Sequence, residues 1–302
     1  MNLFYLSTLR YRRPMELYLR SKWGLSKKEW IVHYDYDSLS EDHDFLPGTY
    51  IFGDLECLQG DLIAKAERIW KKLNTASVPV QILNKPGSTL TRFDLLRTLH
   101  KQGLNDFTVH RLEPGFMPEK FPVYIRREQD HKGNRTPLLY TPDEFEQAVL
   151  KVTEEFQSQE GFMVTEFCDT RDAQGVYRKY SAFIVGNKVI ARHVFFSREW
   201  MIKKADLKGR GFLEEEIEYV RTNPHHDALA GIFSLADVQY GRMDYGVKNG
   251  KVQVWEINTN PTILRRKFLK DPERIPVHQC FADQLDKALD QLGQDTLALP
   301  VN

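Results

Sequence analysis

The chain has 302 residues, 41% hydrophobic, 12% aromatic and 28% charged, the make-up of a folded protein of one large or two ordinary domains whose core needs no disulfide or structural metal. Lys and Arg total 42 and Asp and Glu total 42, which argues against a globally basic nucleic-acid binder and against an acidic disordered tail. The three cysteines, Cys57, Cys168 and Cys280, are far apart with no CxxC spacing, so a reducing, cytoplasmic setting without a zinc site or disulfide framework is expected.

No apolar run reaches the roughly 18–20 residues of a membrane span. The opening MNLFYLSTLRYRRP puts apolar residues before charges, the reverse of a secretory signal. Residues 1–85 mix strand and helix signals. Thr49 to Phe52 is β-rich, Leu62 to Leu73 carries a helical stripe of Leu62, Ile63, Ala66, Ile69, Trp70 and Leu73, and Val78 to Leu83 is again strand-like. That order predicts a βαβ unit. Ser38 to Asp44 reads as a loop. Asn84-Lys85-Pro86-Gly87-Ser88 punctuates the chain and sets a domain boundary, 1–85 before it and 86–302 after it.

A helix follows with Phe93, Leu95, Leu96 and Leu99 inward, then a strand from Phe121 to Ile125 ending in Arg126-Arg127. Leu138 to Tyr140 is expected as a short strand. Thr141, Pro142 and Glu144 form a capping box with Pro at the first helical position, opening a helix to about Gln157. Phe162 to Phe167 is a strand. Tyr180 to Val185 turns at Gly186-Asn187 into Val189 to Phe196, a hairpin. Leu213 to Tyr219 and Asp227 to Leu235 read as helices.

The segment GRMDYGVKNGKVQVWEINTNPTI, residues 241–263, carries the chemistry. Two strand-like runs flank Lys248-Asn249-Gly250, and turn length decides which side chains share a face. A two-residue Asn-Gly loop pairs Lys248 with Lys251 and sends Asp244 and Glu256 to opposite faces. A three-residue loop with a bulge pairs Val247 with Lys251 and gathers Arg242, Asp244, Glu256 and Asn258 on one polar face. The second register separates polar from apolar cleanly and is the one expected. Two carboxylates and an amide on one face offer oxygen ligands to a hard cation, with Arg242 beside them to neutralise a transferring phosphoryl group. Periodicity alone favours a plainer reading, a solvated face with an Arg242–Glu256 ion pair.

VWEINTNP resembles the metal-binding strand of the ATP-grasp family, and GRMDY resembles that family's partner strand, with Arg two residues before Asp. The resemblance extends in order over roughly residues 80–265. It implies an α/β (α+β) fold of two lobes clasping ATP, preceded by a small α/β domain, as in carboxylate–amine ligases of the glutathione synthetase and ribosomal-protein-modifying kinds. It implies Asp244, Glu256 and Asn258 as ligands of Mg²⁺ (or Mn²⁺), and Arg242 as the catalytic group that steadies developing charge. FPVYIRR resembles the strand whose terminal Lys reaches the nucleotide phosphates; here Arg126 stands there, a fork in place of a point charge. The glycine-rich loop that follows in the family retains only Gly133, leaving His131 and Lys132 as further contributors. VTEFCD resembles the adenine-binding hinge, with Glu166, Phe167 and Cys168. RKYSAFIVGNKVIARH resembles the next hairpin, where either Arg178 or Lys179 faces the phosphates. Arg92 stands near the family's first phosphate-binding basic position.

Each residue also has a plain reading. Arg126-Arg127 is also an exposed strand end, Lys179 an edge residue, Glu166 an outward strand residue. His225-His226 reads as a helix-start surface pair, since no Cys or third His lies at ligand spacing. His193 to Trp200 is left without a role, and Arg265-Arg266 is equally an anion-binding pair or a solvated turn. P-loop, GxGxxG and GxSxG motifs are absent. The resemblance implies an ATP-dependent ligase, joining a small-molecule or peptide carboxylate to an amine through an acylphosphate; no nucleic-acid or membrane partner is expected, and a homodimer is left open. A phosphotransferase on the same fold and an inactive nucleotide-binding scaffold are the alternatives.

Overall fold

A computed structural model describes residues 2–40, 43–130 and 133–298. In chain order the strands are β1 (Asn2–Ser7), β2 (Ile31–Asp35), β3 (Gly48–Phe52), β4 (Val80–Leu83), β5 (Val109–Arg111), β6 (Val123–Arg127), β7 (Phe162–Glu166), β8 (Tyr177–Val185), β9 (Lys188–Ser197), β10 (Tyr240–Lys248) and β11 (Lys251–Asn258). The helices are α1 (Arg13–Leu19), α2 (Asp61–Asn74), α3 (Arg92–Lys101), α4 (Pro142–Phe156), α5 (Arg210–Thr222), α6 (His226–Leu235) and α7 (Ile275–Leu297). Among the described residues, no helix is long and apolar enough to cross a membrane.

The chain divides into two compact units. One gathers Met1–Thr89, Val176–Asp244 and Ile257–Asn302; the other gathers Leu90–Gly175 and Tyr245–Glu256. The expected boundary at residue 85 lies where the chain leaves the first sheet, but later stretches return to the unit that holds that sheet.

In the first unit, β1 to β4 form a parallel sheet of order β2-β1-β3-β4. β1 is buried from Leu3 to Ser7 and β3 along its whole length, the near-continuous burial that a parallel sheet covered on both faces demands. The βαβ unit of β3, α2 and β4 is present. Its helix buries Ala66, Ile69 and Leu73, with Leu62 and Trp70 partly buried beside them. Ile63, expected in the stripe, is 40% exposed, since the step of about 100° from one helical residue to the next carries its side chain off the face that Leu62 and Ala66 define. The expected elements stop at Ile263, and the structure adds α7, 23 residues long, which buries Val277, Phe281, Leu285, Leu289 and Leu292.

In the second unit, β5, β7 and β6 form an antiparallel sheet in that order. Alternation along β7 sends Phe162 and Val164 to a core shared with Phe145, Ala148 and Val152 of α4. It sends Met163 to a core shared with Leu96 of α3, Phe107, Val109 and Cys168. The expected strand at 138–140 contracts to a single bridge between Val123 and Leu139: Pro137 has no N–H to donate, and Thr141 already caps α4. The capping box is shifted by one residue. Thr141 Oγ1 accepts from Glu144 N at 3.2 Å, but Glu144 Oε2 accepts from Tyr140 N at 2.6 Å.

The remaining sheet has the order β11-β10-β8-β9. Its β8–β9 hairpin turns at Gly186-Asn187 as expected. The β10–β11 hairpin corrects the expected register. Its loop is two residues, Asn249 and Gly250, both at positive φ (51° and 77°), the type I′ geometry whose twist matches paired strands. Asn-Gly is the dipeptide most suited to that turn, and this local preference outweighs the cleaner separation of polar from apolar that the three-residue loop offered. The shared face derived for Asp244 and Glu256 rested on the longer loop and does not survive it.

Candidate active site

Lys179, Arg242, Asp244 and Asn258 belong to the first unit, as does Arg178. Arg92, Arg126, Glu166, Phe167, Cys168 and Glu256 belong to the second.

Asp244 is the centre of the first group. It is 2% exposed, and burial opposes its charge, yet Arg242 and Lys179 hold its carboxyl well below the usual carboxylate range. Arg242 grips it as a fork, Nε to Oδ1 at 2.9 Å and Nη2 to Oδ2 at 3.2 Å. The two lie two residues apart on β10 and so on one face. Lys179 Nζ reaches Oδ2 at 2.8 Å, and Ser181 Oγ donates to Oδ1 at 2.7 Å. Lys179 and Ser181 are again two apart, on β8. Arg178, between Tyr177 and Lys179, points the other way and forks onto Glu215 of α5, with Nε to Oε1 at 2.6 Å and Nη2 to Oε2 at 3.2 Å. Strand alternation thus separates the two basic residues that sequence left as alternatives. Gly241, which opens GRMDY, has a packing reason: a Cβ there would lie 2.9 Å from the carbonyl oxygen of Asn258.

Asn258 ends β11. Its Oδ1 accepts from Asn260 N at 2.7 Å, closing a local turn. The loop beyond it is tied to the first sheet. Thr259 N donates to Glu56 Oε1 at 3.0 Å, its hydroxyl donates to Glu56, and its Oγ1 accepts from Leu55 N at 2.9 Å. Asn260 Oδ1 accepts from Tyr5 Oη at 2.8 Å, and its Nδ2 donates to the Tyr11 carbonyl at 2.7 Å.

In the second unit, Glu256 Oε2 accepts from Arg92 Nη2 at 2.6 Å and Arg126 Nη2 at 3.3 Å. Arg92, the first residue of α3, also donates to the carbonyls of Glu128 and Asp130, each at 2.9 Å, and so holds the chain that follows β6. His131 and Lys132, expected to contribute there, lie outside the described residues. Asn105 grips Val254 through both N–H and C=O at 2.9 Å, fixing β11 two residues before Glu256. Glu166 Oε2 accepts from Thr108 N at 3.2 Å, and Phe167 N donates to the Pro122 carbonyl at 2.9 Å. Cys168 is buried with its thiol 3.7 Å from Gln253 Oε1, and burial pushes that thiol up to about 11, which keeps it protonated and poorly nucleophilic at neutral pH.

No family model and no curated protein matches the chain. Solved structures do. A D-alanine–D-alanine ligase from Bacillus anthracis, solved with ATP, is 14% identical, with 98% of this chain and 99% of that one covered and a TM-score of 0.54. The D-alanine–D-alanine ligase from Coxiella burnetii is 13% identical over 98% of each chain, TM-score 0.54. A RimK domain ATP-grasp protein from Sphaerobacter thermophilus is 12% identical over 94% of this chain and 99% of that one, TM-score 0.54. The chain has the ATP-grasp fold. At these identities the likeness is one of fold, and what the site does has to be argued from its residues.

The ATP-grasp fold implies Mg²⁺ beside ATP. Among the described residues, no group of three or more His, Cys, Asp and Glu gathers as a metal centre. Mg²⁺, however, needs only one or two protein carboxylates, with water and phosphate completing its shell. Asp244, Glu256 and Asn258 each offer oxygen, the donor type that Mg²⁺ takes, and Asp244 is held ionised, so the chemistry of each donor suits a hard cation, although the two-residue loop does not gather them on one face.

Ser181, Asn105, Glu56 and Thr259 had no sequence signal of their own. Each acts through a partner more than 40 residues away. Of the residues left without a role, His193 is buried against Ser181, its Nε2 3.1 Å from Oγ. His225 packs on Tyr180 at the start of α6, ring centroids 5.3 Å apart. Arg265 lies over the Phe268 ring at 5.2 Å.

Proposed function

We propose that the protein is an ATP-dependent carboxylate–amine ligase, with 1–85 as the domain preceding an ATP-grasp domain of 86–302. The observation that carries the reading is Asp244: a buried aspartate kept ionised by Arg242 and Lys179, on the strand that carries GRMDY. A scaffold without turnover would not need the metal ligands that the resemblance gives Asp244, Glu256 and Asn258.

The roles follow from chemistry and position. Arg92, Arg126 and Lys179 bind the phosphates of ATP; Lys179 is chosen over Arg178 because strand alternation puts it on the Asp244 side of β8 while Arg178 points to Glu215 of α5. Glu166, Phe167 and Cys168 border the base. Asp244, Glu256 and Asn258 hold Mg²⁺, which when bound supplies charge neutralisation at the phosphates. Arg242, anchored to Asp244 through Nε and Nη2, offers its remaining guanidinium N–H donors to the developing charge. The substrate carboxylate oxygen attacks the γ-phosphorus and ADP leaves. An amine then attacks the carbonyl carbon of the acylphosphate, the C–O bond breaks, phosphate departs and the amine loses a proton. The chain needs no nucleophile of its own, in keeping with a buried, protonated Cys168. Its work is positioning and electrostatics.

The test is a trap. Acids, amino acids and small peptides are first screened by ADP release. With the responding acid, MgATP and hydroxylamine in place of the amine, hydroxamate and phosphate should accumulate together. A stable phosphorylated product without phosphate release, unchanged by hydroxylamine, would instead identify a phosphotransferase.

A further inference from the structure

We propose that His193 and Ser181 are positioning residues for Asp244, acting as a relay of hydrogen bonds from imidazole to hydroxyl to carboxylate. The inference rests on the reading of Asp244 as a metal-site carboxylate and goes beyond it by assigning what holds that carboxylate in place.

The geometry begins with a fault in the β8–β9 hairpin. Val185 pairs with Lys188, Ile184 with Val189, Phe183 with Ile190 and Ala182 with Ala191; the next pair is Ser181 with His193. Arg192 is therefore the extra residue of a β-bulge. In an unbroken ladder Ser181 would face Arg192. Bulges re-aim side chains beside functional sites, and this one does so twice. It brings the imidazole of His193 to Ser181, Nε2 to Oγ at 3.1 Å. It also sends the Arg192 guanidinium to the Ile263 carbonyl, Nη2 to O at 3.1 Å, five residues beyond Asn258.

Hydrogen-bond counting fixes the direction of the relay. An ionised carboxylate only accepts. Ser181 must therefore donate its single proton to Asp244 Oδ1, 2.7 Å away. Its contact with His193 must then be one in which Oγ accepts, which places the imidazole proton on Nε2. Burial, with Arg192 and Arg242 nearby, opposes a second proton on His193, so the ring is the neutral Nε2–H tautomer. The relay is held from behind. His193 stacks on Phe195 with ring centroids 4.2 Å apart, and the Ser181 carbonyl accepts from Tyr219 Oη at 2.9 Å.

Among Arg242, Lys179 and Ser181, the serine is the uncharged donor. It orients Asp244 without cancelling the negative charge that a dication requires. Partners one step removed from a metal ligand commonly change metal affinity by about 10–100-fold when lost.

The experiment measures binding rather than turnover. Mn²⁺ is titrated into the full chain with a non-hydrolysable ATP analogue, and free Mn²⁺ is read by electron paramagnetic resonance. Ser181→Ala and His193→Leu should each weaken Mn²⁺ by about 10-fold or more. His193→Gln, whose terminal amide can donate from nearly the Nε2 position, should stay within about threefold of the parent, and the shorter His193→Asn should behave like His193→Leu. The double variant Ser181→Ala/His193→Leu should bind no more weakly than Ser181→Ala, because the two form one chain. Thermal unfolding of each variant identifies any that fails to fold; the Gln and Asn pair then carries the comparison. Parent-like binding in His193→Leu and His193→Asn, or losses that multiply in the double variant, would overturn the relay. Asp244→Asn separates the two layers. If it binds Mn²⁺ as the parent does, the metal-site reading fails and the relay with it. If it loses Mn²⁺ while the Ser181 and His193 variants do not, only the relay fails.

Discussion

Asn84 offers a quantitative check on how the first unit holds the strand that bears Arg242 and Asp244. Its side chain uses its whole hydrogen-bonding capacity. Nδ2 donates to the carbonyls of Phe52 (2.9 Å) and Tyr240 (2.7 Å), and Oδ1 accepts from the N–H groups of Gln239 (2.8 Å) and Tyr240 (2.9 Å). The residue is 1% exposed and sits at φ +62°. Asn84→Ala strands four buried backbone groups at once. At the low end of about 1 kcal/mol each, the loss is about 4 kcal/mol, and a left-handed alanine adds about 1 kcal/mol. Asn84→Gly removes the same bonds but accepts the positive φ, so it should be roughly 1 kcal/mol less damaging than alanine. Asn84→Asp keeps the two acceptor contacts but sets a carboxylate oxygen against two carbonyls, and should cost at least as much as glycine. Urea unfolding followed by far-ultraviolet circular dichroism, with m-values compared across the series, gives the numbers. A loss below about 1 kcal/mol for alanine would refute the clamp.

Other consequences can be measured directly. Asp244→Asn and Glu256→Gln should each abolish metal-dependent ATP turnover with the fold intact by circular dichroism, since each removes a charge at nearly constant size; full activity in either would remove that residue from the metal set. Arg126→Ala should weaken ATP about tenfold and adenosine hardly at all in titration calorimetry, as expected for a lost charge-assisted contact to phosphate; equal losses would make Arg126 structural only. The Asp54 carboxyl is pushed up to about 6 by burial, with the Thr8 hydroxyl working against it. The folded state then holds that proton more tightly than the unfolded chain between about pH 4 and pH 6, so its contribution to stability is present below that window and is lost as pH rises through it. The stability difference between the parent and Asp54→Asn should change by about 3 kcal/mol across the window and stay flat above it; a difference constant from pH 4 to pH 7 would contradict the buried carboxyl.

Much of this was legible in the sequence, and the exceptions have physical causes. Apolar spacing marks α2 and α3, the capping box with Pro142 marks α4, and the turn dipeptides mark both hairpins. Arg242 and Asp244 could be paired because they lie two apart on one strand. In the β10–β11 hairpin, face polarity favours the three-residue loop and turn chemistry the two-residue one, and Asn249-Gly250 is the stronger local signal. Tyr240 to Tyr245 are buried except Arg242, so the expected alternation between a wet and a dry face does not apply there. Asn84 looks like simple punctuation in the sequence, because a clamp onto residues 155 and 156 positions away leaves no local trace. The bulge at Arg192 is likewise silent in a run that reads as an ordinary strand.

Isotope transfer tests the ligase reading most directly. With the responding acid labelled with ¹⁸O in its carboxylate, the amine and MgATP, the released phosphate should carry one ¹⁸O. The carboxylate oxygen that attacks phosphorus leaves with it when the amine breaks the C–O bond. Unlabelled phosphate would mean simple hydrolysis of ATP, and label retained in a phosphorylated product would mean phosphoryl transfer that stops there; either result would contradict amide formation through an acylphosphate.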